Sequence, residues 1–322
     1  MKCKAVINAC APAFPDRVAE IAAFLETHQQ ITGQDLEETD ALIFYPAEMS
    51  PEKVSEELPF QNNHLLKVKH YQPEVILAAL EKLEKGNPAD LYLFTGDLSG
   101  SELAVRFARR MNGSSLVAVE KLARQSEGLV GIKEVYSGNL EGSFLFGSKP
   151  YCVALARGMD KTLTKKIKAA GSTTNHDFSN IAGNPNLTSY CETLFESEQT
   201  LERAPFIIAV GRGASSQAEL KRLEEIALKM GAELGVSRPV VMNAWAPLNR
   251  LIGASGKVVA PEVCLVLAAS GSPPFYYGIE KSKVIVAVNT DKQAPIMKAA
   301  DVIIVDDYRG IIDALAELIV KR

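Results

Sequence analysis

The chain has 322 residues, 47% hydrophobic and 23% charged, which is the length of two ordinary domains and excludes a disordered, collagenous or low-complexity chain. A formal net charge of −4 argues against nucleic acid as the main partner. Hydropathy offers no run of about 18 apolar residues, so no membrane insertion is expected.

KAVINA, from residue 4, reads as a strand, and RVAEIAAFLETH as a helix with Val18, Ile21, Ala22 and Leu25 at helical spacing. The N-terminal apolar run is short and broken by Asn8, Pro12 and Pro15, so it does not read as a signal peptide. Residues 41–46 are a buried strand, 75–86 a helix closed by Gly86, and 90–97 a strand. SELAVRFARRMNG follows as a helix with Ser101 at its N-cap. Residues 114–120 are a strand, 128–147 are short antiparallel strands set off by Gly and Asn, and 151–158 are a strand. Polar residues fill 159–204, most of which reads as an inter-domain connector with room for one strand.

From residue 205 the alternation resumes. Strands are predicted at 205–211, 235–241, 263–271, 283–289 and 301–307. Helices are predicted at 217–231, with the stripe Leu220, Leu223, Ile226, Ala227 and Met230, at 294–300, and from Gly310 onward. Strands apolar on both faces predict parallel sheets covered by helices on both sides. The fold class is therefore α/β with two domains, each a mostly parallel sheet with flanking helices. The expected division is an N-terminal domain over 1–190, a connector to about 204, and a C-terminal domain over 205–322.

Five cysteines at 3, 10, 152, 191 and 264 contain no CxxC, so no metal site is expected and reduced thiols in a cytoplasmic protein are the plain reading. His28, His64, His70 and His176 all lie in the first 176 residues, so chemistry in the second half must proceed without imidazole. In open parallel sheets, ligands sit at the carboxyl ends of the strands. Those ends carry Gly211-Arg212-Gly213, Ser237-Arg238-Pro239, Ser270-Gly271, Asn289 with Asp291, and Asp306-Asp307. A separate glycine loop runs Ile252-Gly253-Ala254-Ser255-Gly256. Small residues let backbone N–H groups approach an anion, arginines neutralise phosphate, and a carboxylate accepts hydrogen bonds from a ribose or an adenine amino group. Each feature alone also fits an ordinary turn or helix cap. Neither a G-x-G-x-x-G fingerprint nor a P-loop lysine is present.

In order and spacing, VGRG, GAELGVSRPV, IGASGKVVAPE, ASG and KVIVAVNTDKQAPIMKAADVIIVDD resemble the FAD-binding domain of the electron transfer flavoprotein alpha subunit. The first half resembles that family more loosely, through DLYLFTGDLSGSELAVRFARRMN and the glycine-rich β segment. The resemblance implies a Rossmann-like C-terminal domain holding FAD. It implies Arg212 near the flavin and diphosphate, Ser237 on the FAD, and Arg238 beside the isoalloxazine ring. Ser255 takes the place of a threonine facing the flavin, with Ile252, Gly253 and Ala254 completing its loop. Ser270 and Gly271 are placed at the diphosphate, followed by Ser272, Pro273, Pro274 and Phe275. Asn289 falls on the nucleotide side, and Asp307 with Tyr308 at the adenine end. Arg238 and Ser255 are the residues expected to tune the flavin.

Two departures stand out. The family loop Gln-Ile-Gly-Gln-Thr-Gly reads Leu-Ile-Gly-Ala-Ser-Gly here, and a Gln-His pair is replaced by Pro274-Phe275. Phe275 cannot hydrogen-bond a flavin carbonyl but can stack or pack. Trp245, the one tryptophan, reads as a packing anchor. The implied function is an electron carrier paired with a beta subunit, exchanging electrons with a flavin dehydrogenase and a redox acceptor. Two alternatives stand beside it: an alpha-like docking subunit that has lost tight FAD binding, and a nucleotide-dependent enzyme on a related fold. The lack of a general base near the pocket counts against the enzyme.

Overall fold

A computed structural model describes residues 1–11, 14–32, 39–55, 58–86, 88–136, 138, 140–159, 172–184 and 200–320. The chain divides into two units, Met1–Val135 with Asn139–Glu192 and Tyr136–Gly138 with Thr193–Arg322.

The first unit contains, in order, β1 (Cys3–Asn8), α1 (Phe14–Thr27), α2 (Gln29–Thr32), β2 (Asp40–Pro46), α3 (Pro51–Ser55), β3 (Asn62–Val68), α4 (Pro73–Glu84), β4 (Leu91–Phe94) and α5 (Leu98–Arg110). After these come β5 (Ser114–Val119), β6 (Lys121–Gln125), β7 (Gly128–Val135), β8 (Leu140–Leu145), β9 (Tyr151–Leu155) and β10 (Ser172–Asp177). Seven strands form a parallel sheet in the order β10-β3-β2-β1-β4-β9-β5. β6, β7 and β8 form the antiparallel excursion. Core packs on both faces of the large sheet, α1 over one and α4 with α5 over the other. On the α4 face, Lys4 and Glu84 form a buried ion pair at 2.6 Å, and the Tyr92 hydroxyl donates to the same carboxylate.

One expectation fails here. The N-cap is not Ser101 but Asp97, four residues earlier, whose Oδ1 accepts the Gly100 N–H at 2.7 Å, so α5 begins at Leu98. β3 lies outside the predicted elements, since NNHLLKV mixes polar and apolar residues without a clean period.

The second unit contains α6 (Thr200–Arg203), β11 (Phe206–Val210), a 3₁₀ turn over Arg212–Ala214, α7 (Gln217–Lys229), β12 (Glu233–Val236), α8 (Arg238–Met242) and a 3₁₀ turn over Leu248–Arg250. It continues with β13 (Val263–Leu267), α9 (Pro273–Tyr276), β14 (Val284–Val288), α10 (Ile296–Ala299), β15 (Val302–Ile304) and α11 (Tyr308–Val320). The strands form one parallel sheet in the order β12-β11-β13-β14-β15. Helices α7, α8 and α11 contribute to the core on one face, and α6, α9 and α10 to the core on the other. The strand expected over 235–241 ends at Val236. Pro239 has no N–H for a ladder but fits the first turn of a helix, so α8 begins at Arg238.

Among the described residues, no helix is long and apolar enough to cross a membrane.

Candidate functional site

The strand order sets the site. The chain leaves β11 for β12 on one side, then crosses to β13 on the other. The carboxyl ends of β11 and β13 therefore flank a topological switch point, where open α/β sheets place ligands. All five strands are parallel, so the residues after each line one edge. That edge spans roughly 19 Å across four inter-strand spacings, comparable to an extended dinucleotide.

At the switch point, backbone packs against backbone. Gly213 N–H donates to the Ala268 carbonyl at 3.2 Å, and a Cβ on Gly211 would lie 2.2 Å from that same oxygen. Only glycine permits this approach. Ala268 and Ser215 adopt left-handed φ values of +49° and +70° beside it, a conformation that costs energy outside glycine. Arg212 is exposed on the 3₁₀ turn after β11.

Ser237 is buried at the end of β12, where its N–H donates to the Val210 carbonyl at 2.9 Å. Arg238 opens α8 and is exposed. Among the described residues, neither Arg212 nor Arg238 has a carboxylate partner, so two uncompensated guanidinium charges stand on this edge.

The glycine loop is tied on both sides. Ile252 N–H donates to Val236 O at 2.9 Å, and Ala254 N–H donates to Pro274 O at 2.8 Å. Gly253 has φ +134°, and a Cβ there would meet the Pro274 carbonyl at 2.6 Å. Ala254 and Ser255 remain exposed at the tip.

After β13, Ser270 and Ser272 are exposed, with Gly271 between them at φ +74°. The Ile296 N–H holds this loop through the Ser270 carbonyl at 3.0 Å. Pro273 and Pro274 are exposed but supply no N–H. Phe275 turns inward. It is 5% exposed and packs in the core with Ile252 and Ile279, so its ring is not offered to a ligand. The Ile252 side chain is likewise core.

Asn289 bonds within the protein. Its Nδ2 donates to the Ala269 carbonyl at 2.9 Å, and its Oδ1 accepts the Asp291 N–H at 2.9 Å. Asp307 is exposed, and the Arg309 backbone N–H and guanidinium each donate to it at 2.9 Å. The N–H bond, then the nearby positive charge, holds its carboxyl below the usual range. The Tyr308 ring is in the core. Its hydroxyl donates to Glu219 at 3.1 Å, and burial, then that carboxylate, pushes the phenol up to about 12.

The edge thus gathers the hydroxyls of Ser237, Ser255, Ser270 and Ser272, two unpaired arginines, close-packed glycine turns and one terminal carboxylate. This donor set fits a ligand with a doubly anionic centre and a hydroxyl-bearing end. Sequence reading missed Glu219, although Ser216-x-x-Glu219 is a capping-box pattern that flags it. No cluster of His, Cys, Asp and Glu among the described residues is arranged to hold a metal.

Residues 200–280 match the family described as "Electron transfer flavoprotein FAD-binding domain". The Escherichia coli (strain K12) protein named "Putative electron transfer flavoprotein subunit YgcQ" is 30% identical over 256 residues, 75% of this chain and 82% of its own length. Protein FixB of Rhizobium meliloti (strain 1021) is 26% identical, covering 79% of this chain and 73% of its own. The mitochondrial electron transfer flavoprotein subunit alpha of Oryza sativa subsp. indica is 32% identical, covering 67% and 61%.

The chain belongs to the electron transfer flavoprotein alpha-subunit family. Its cofactor is FAD, and the donor set on the strand-end edge fits that group. The matched FAD-binding segment includes Arg212, Ser237, Arg238, the glycine loop and the loop after β13. Asn289, Asp307 and Tyr308 lie beyond it.

Proposed function

We propose that this chain is the flavin-holding alpha subunit of a heterodimer with an electron transfer flavoprotein beta subunit, taking electrons from a flavin dehydrogenase and passing them to a redox acceptor. The observation that carries the site is the pair of unpaired arginines, Arg212 and Arg238, beside the glycine turns of a parallel-sheet switch point. When bound, FAD supplies the redox chemistry. The chain's own residues bind and bias it. Arg212, Ser270, Gly271 and Ser272 hold the diphosphate through charge, hydroxyls and N–H groups. Ser237 and the tip Gly253-Ala254-Ser255 border the ring, where Ser255 offers a hydroxyl. Arg238 places a fixed positive charge beside the ring, which favours added negative charge and raises the reduction potential. Asp307 accepts hydrogen bonds from the adenosine end.

Pro273, Pro274 and Phe275 shape the loop but donate nothing to the ring from their side chains. Asn289 contributes by holding backbone in place, and Tyr308 by anchoring the start of α11 in the core and on Glu219. A domain boundary near residue 205, with the flavin domain following it, is part of this reading. A reducing, cytoplasmic location is part of this reading, supported by five cysteines too widely spaced for a CxxC motif.

The test is Arg238→Ala in the assembled complex. The flavin potential is expected to fall while FAD stays bound. An unchanged potential would remove Arg238 from the ring.

A further inference from the structure

Glu219 sits in the first turn of α7, one short turn after the end of β11. Its N–H is capped by Ser216 Oγ at 3.1 Å. In a capping box the glutamate side chain ordinarily reaches back toward the N-cap N–H. This one reaches across to the start of α11. Its Oε1 accepts from the Tyr308 hydroxyl at 3.1 Å and from Arg222 Nη1 at 2.9 Å, and lies 3.7 Å from Arg309 Nε. Only 17% of the carboxylate side chain is exposed, so these partners matter more than surface ones.

Two further links complete the connection. Arg222 Nη2 donates to both carboxylate oxygens of Asp313 in α11. Arg309 lies over the Tyr308 ring at 5.0 Å and donates to Asp307 from its backbone and guanidinium. The first turns of α7 and α11 are thereby joined, although β13 and β14 separate their preceding strands in the sheet.

We propose that Glu219 is a positioning residue for the adenosine half of the cofactor. It fixes the distance between the β11 end of the cradle and Asp307 by holding Tyr308 and Arg309. With Oδ1 and Oδ2 each satisfied once by Arg309, Asp307 keeps further lone pairs for ribose hydroxyls or an adenine amino group. This inference rests on the reading that FAD lies along the strand-end edge with its adenosine at Asp307.

The test uses the complex with its partner subunit, stripped of flavin and titrated with FAD. Wild type is compared with Glu219→Ala, Glu219→Gln, Tyr308→Phe and the double variant Glu219→Ala/Tyr308→Phe. Glu219→Ala should raise the FAD dissociation constant about tenfold, the scale expected for losing a hydrogen bond to a charged group. The potential of the bound flavin should match wild type, because the ring is untouched. Glu219→Gln keeps an acceptor for Tyr308 and should lie nearer wild type. The double variant should bind no more weakly than Glu219→Ala. Wild-type affinity in Glu219→Ala would overturn the proposal, as would a potential that moves with the affinity. If Glu219→Ala does not fold, Tyr308→Phe, which removes only the hydroxyl, decides by the same two readouts. A wild-type complex that takes up no FAD would defeat the flavin reading itself, an outcome distinct from variants that bind as wild type does.

Discussion

Asn289 spans two strand ends: its Nδ2 donates to the Ala269 carbonyl at 2.9 Å while its Oδ1 accepts the Asp291 N–H at 2.9 Å. One side chain thus holds the loop after β13 against the turn after β14. Asn289→Ala removes both bonds and should cost about 1–2 kcal/mol of stability. Because Ser270 and Gly271 lie on the loop it holds, FAD binding should weaken as well. Denaturant unfolding and FAD titration of the variant check this. Unchanged stability with weakened FAD binding would make Asn289 a direct ligand rather than a brace.

Gly211→Ala tests the switch point. The new Cβ would lie 2.2 Å from the Ala268 carbonyl and 2.3 Å from the Ala269 Cα, both backbone. Two main chains must separate to admit it, so a loss of about 1–3 kcal/mol is expected. Gly310→Ala is the control, since a Cβ there meets nothing within 4 Å and lies in α11. It should stabilise by up to about 1 kcal/mol through helix propensity. Thermal unfolding of the two variants should move in opposite directions, and a shift of the same sign in both would contradict the packing described.

Phe275 separates core from cofactor roles. Its ring is buried beside Ile252 and Ile279. Phe275→Ala should cost about 3–5 kcal/mol, and Phe275→Leu much less. A Phe275→Leu protein of normal stability and an unaltered flavin spectrum fits a core residue. An altered spectrum in that variant would turn the ring toward the flavin.

The first unit carries a pH-dependent pair. His64 Nδ1 lies 3.2 Å from His176 Nε2, one imidazole donating and the other accepting. Burial, joined at His64 by the neighbouring imidazole, depresses both below the ordinary value of 6.5. Asp40 and Glu84 pull His64 upward and Lys4 pulls it down, less than burial does. A base depressed in the folded state binds protons more weakly there than when unfolded. Stability is therefore full above about 6.5 and falls as pH drops below it. His176→Gln keeps a hydrogen-bonding amide and should flatten that fall. Unfolding curves between pH 5 and 7.5 that are identical for wild type and variant would contradict it.

The sheets were legible because Ile207, Val266 and Val286 belong to strands apolar on both faces, a pattern that parallel strands under two helical layers require. β10 is the one strand for which the polar stretch 159–204 left room, but STTNHD has no apolar residue to place it. It pairs along the edge of β3 through backbone, Thr174 opposite His64 and His176 opposite Leu66, and the His176 side chain reaches back to that of His64. β3 escaped for a related reason: Asn62 and His64 satisfy Asp40 and His176, contacts that no local period reveals. At the site, the strand-end glycines and arginines could be read from spacing. The inward turn of Phe275 and Tyr308 could not, because burial is decided by which helix covers which face. The role of Glu219 depends on a contact between two helices far apart in the chain.

The most direct measurement is the visible absorption spectrum and flavin content of this chain purified with its beta-type partner. The account predicts oxidised-flavin bands, about one FAD held per alpha chain, and bleaching on reduction. A colourless complex that takes up no FAD on incubation would contradict it.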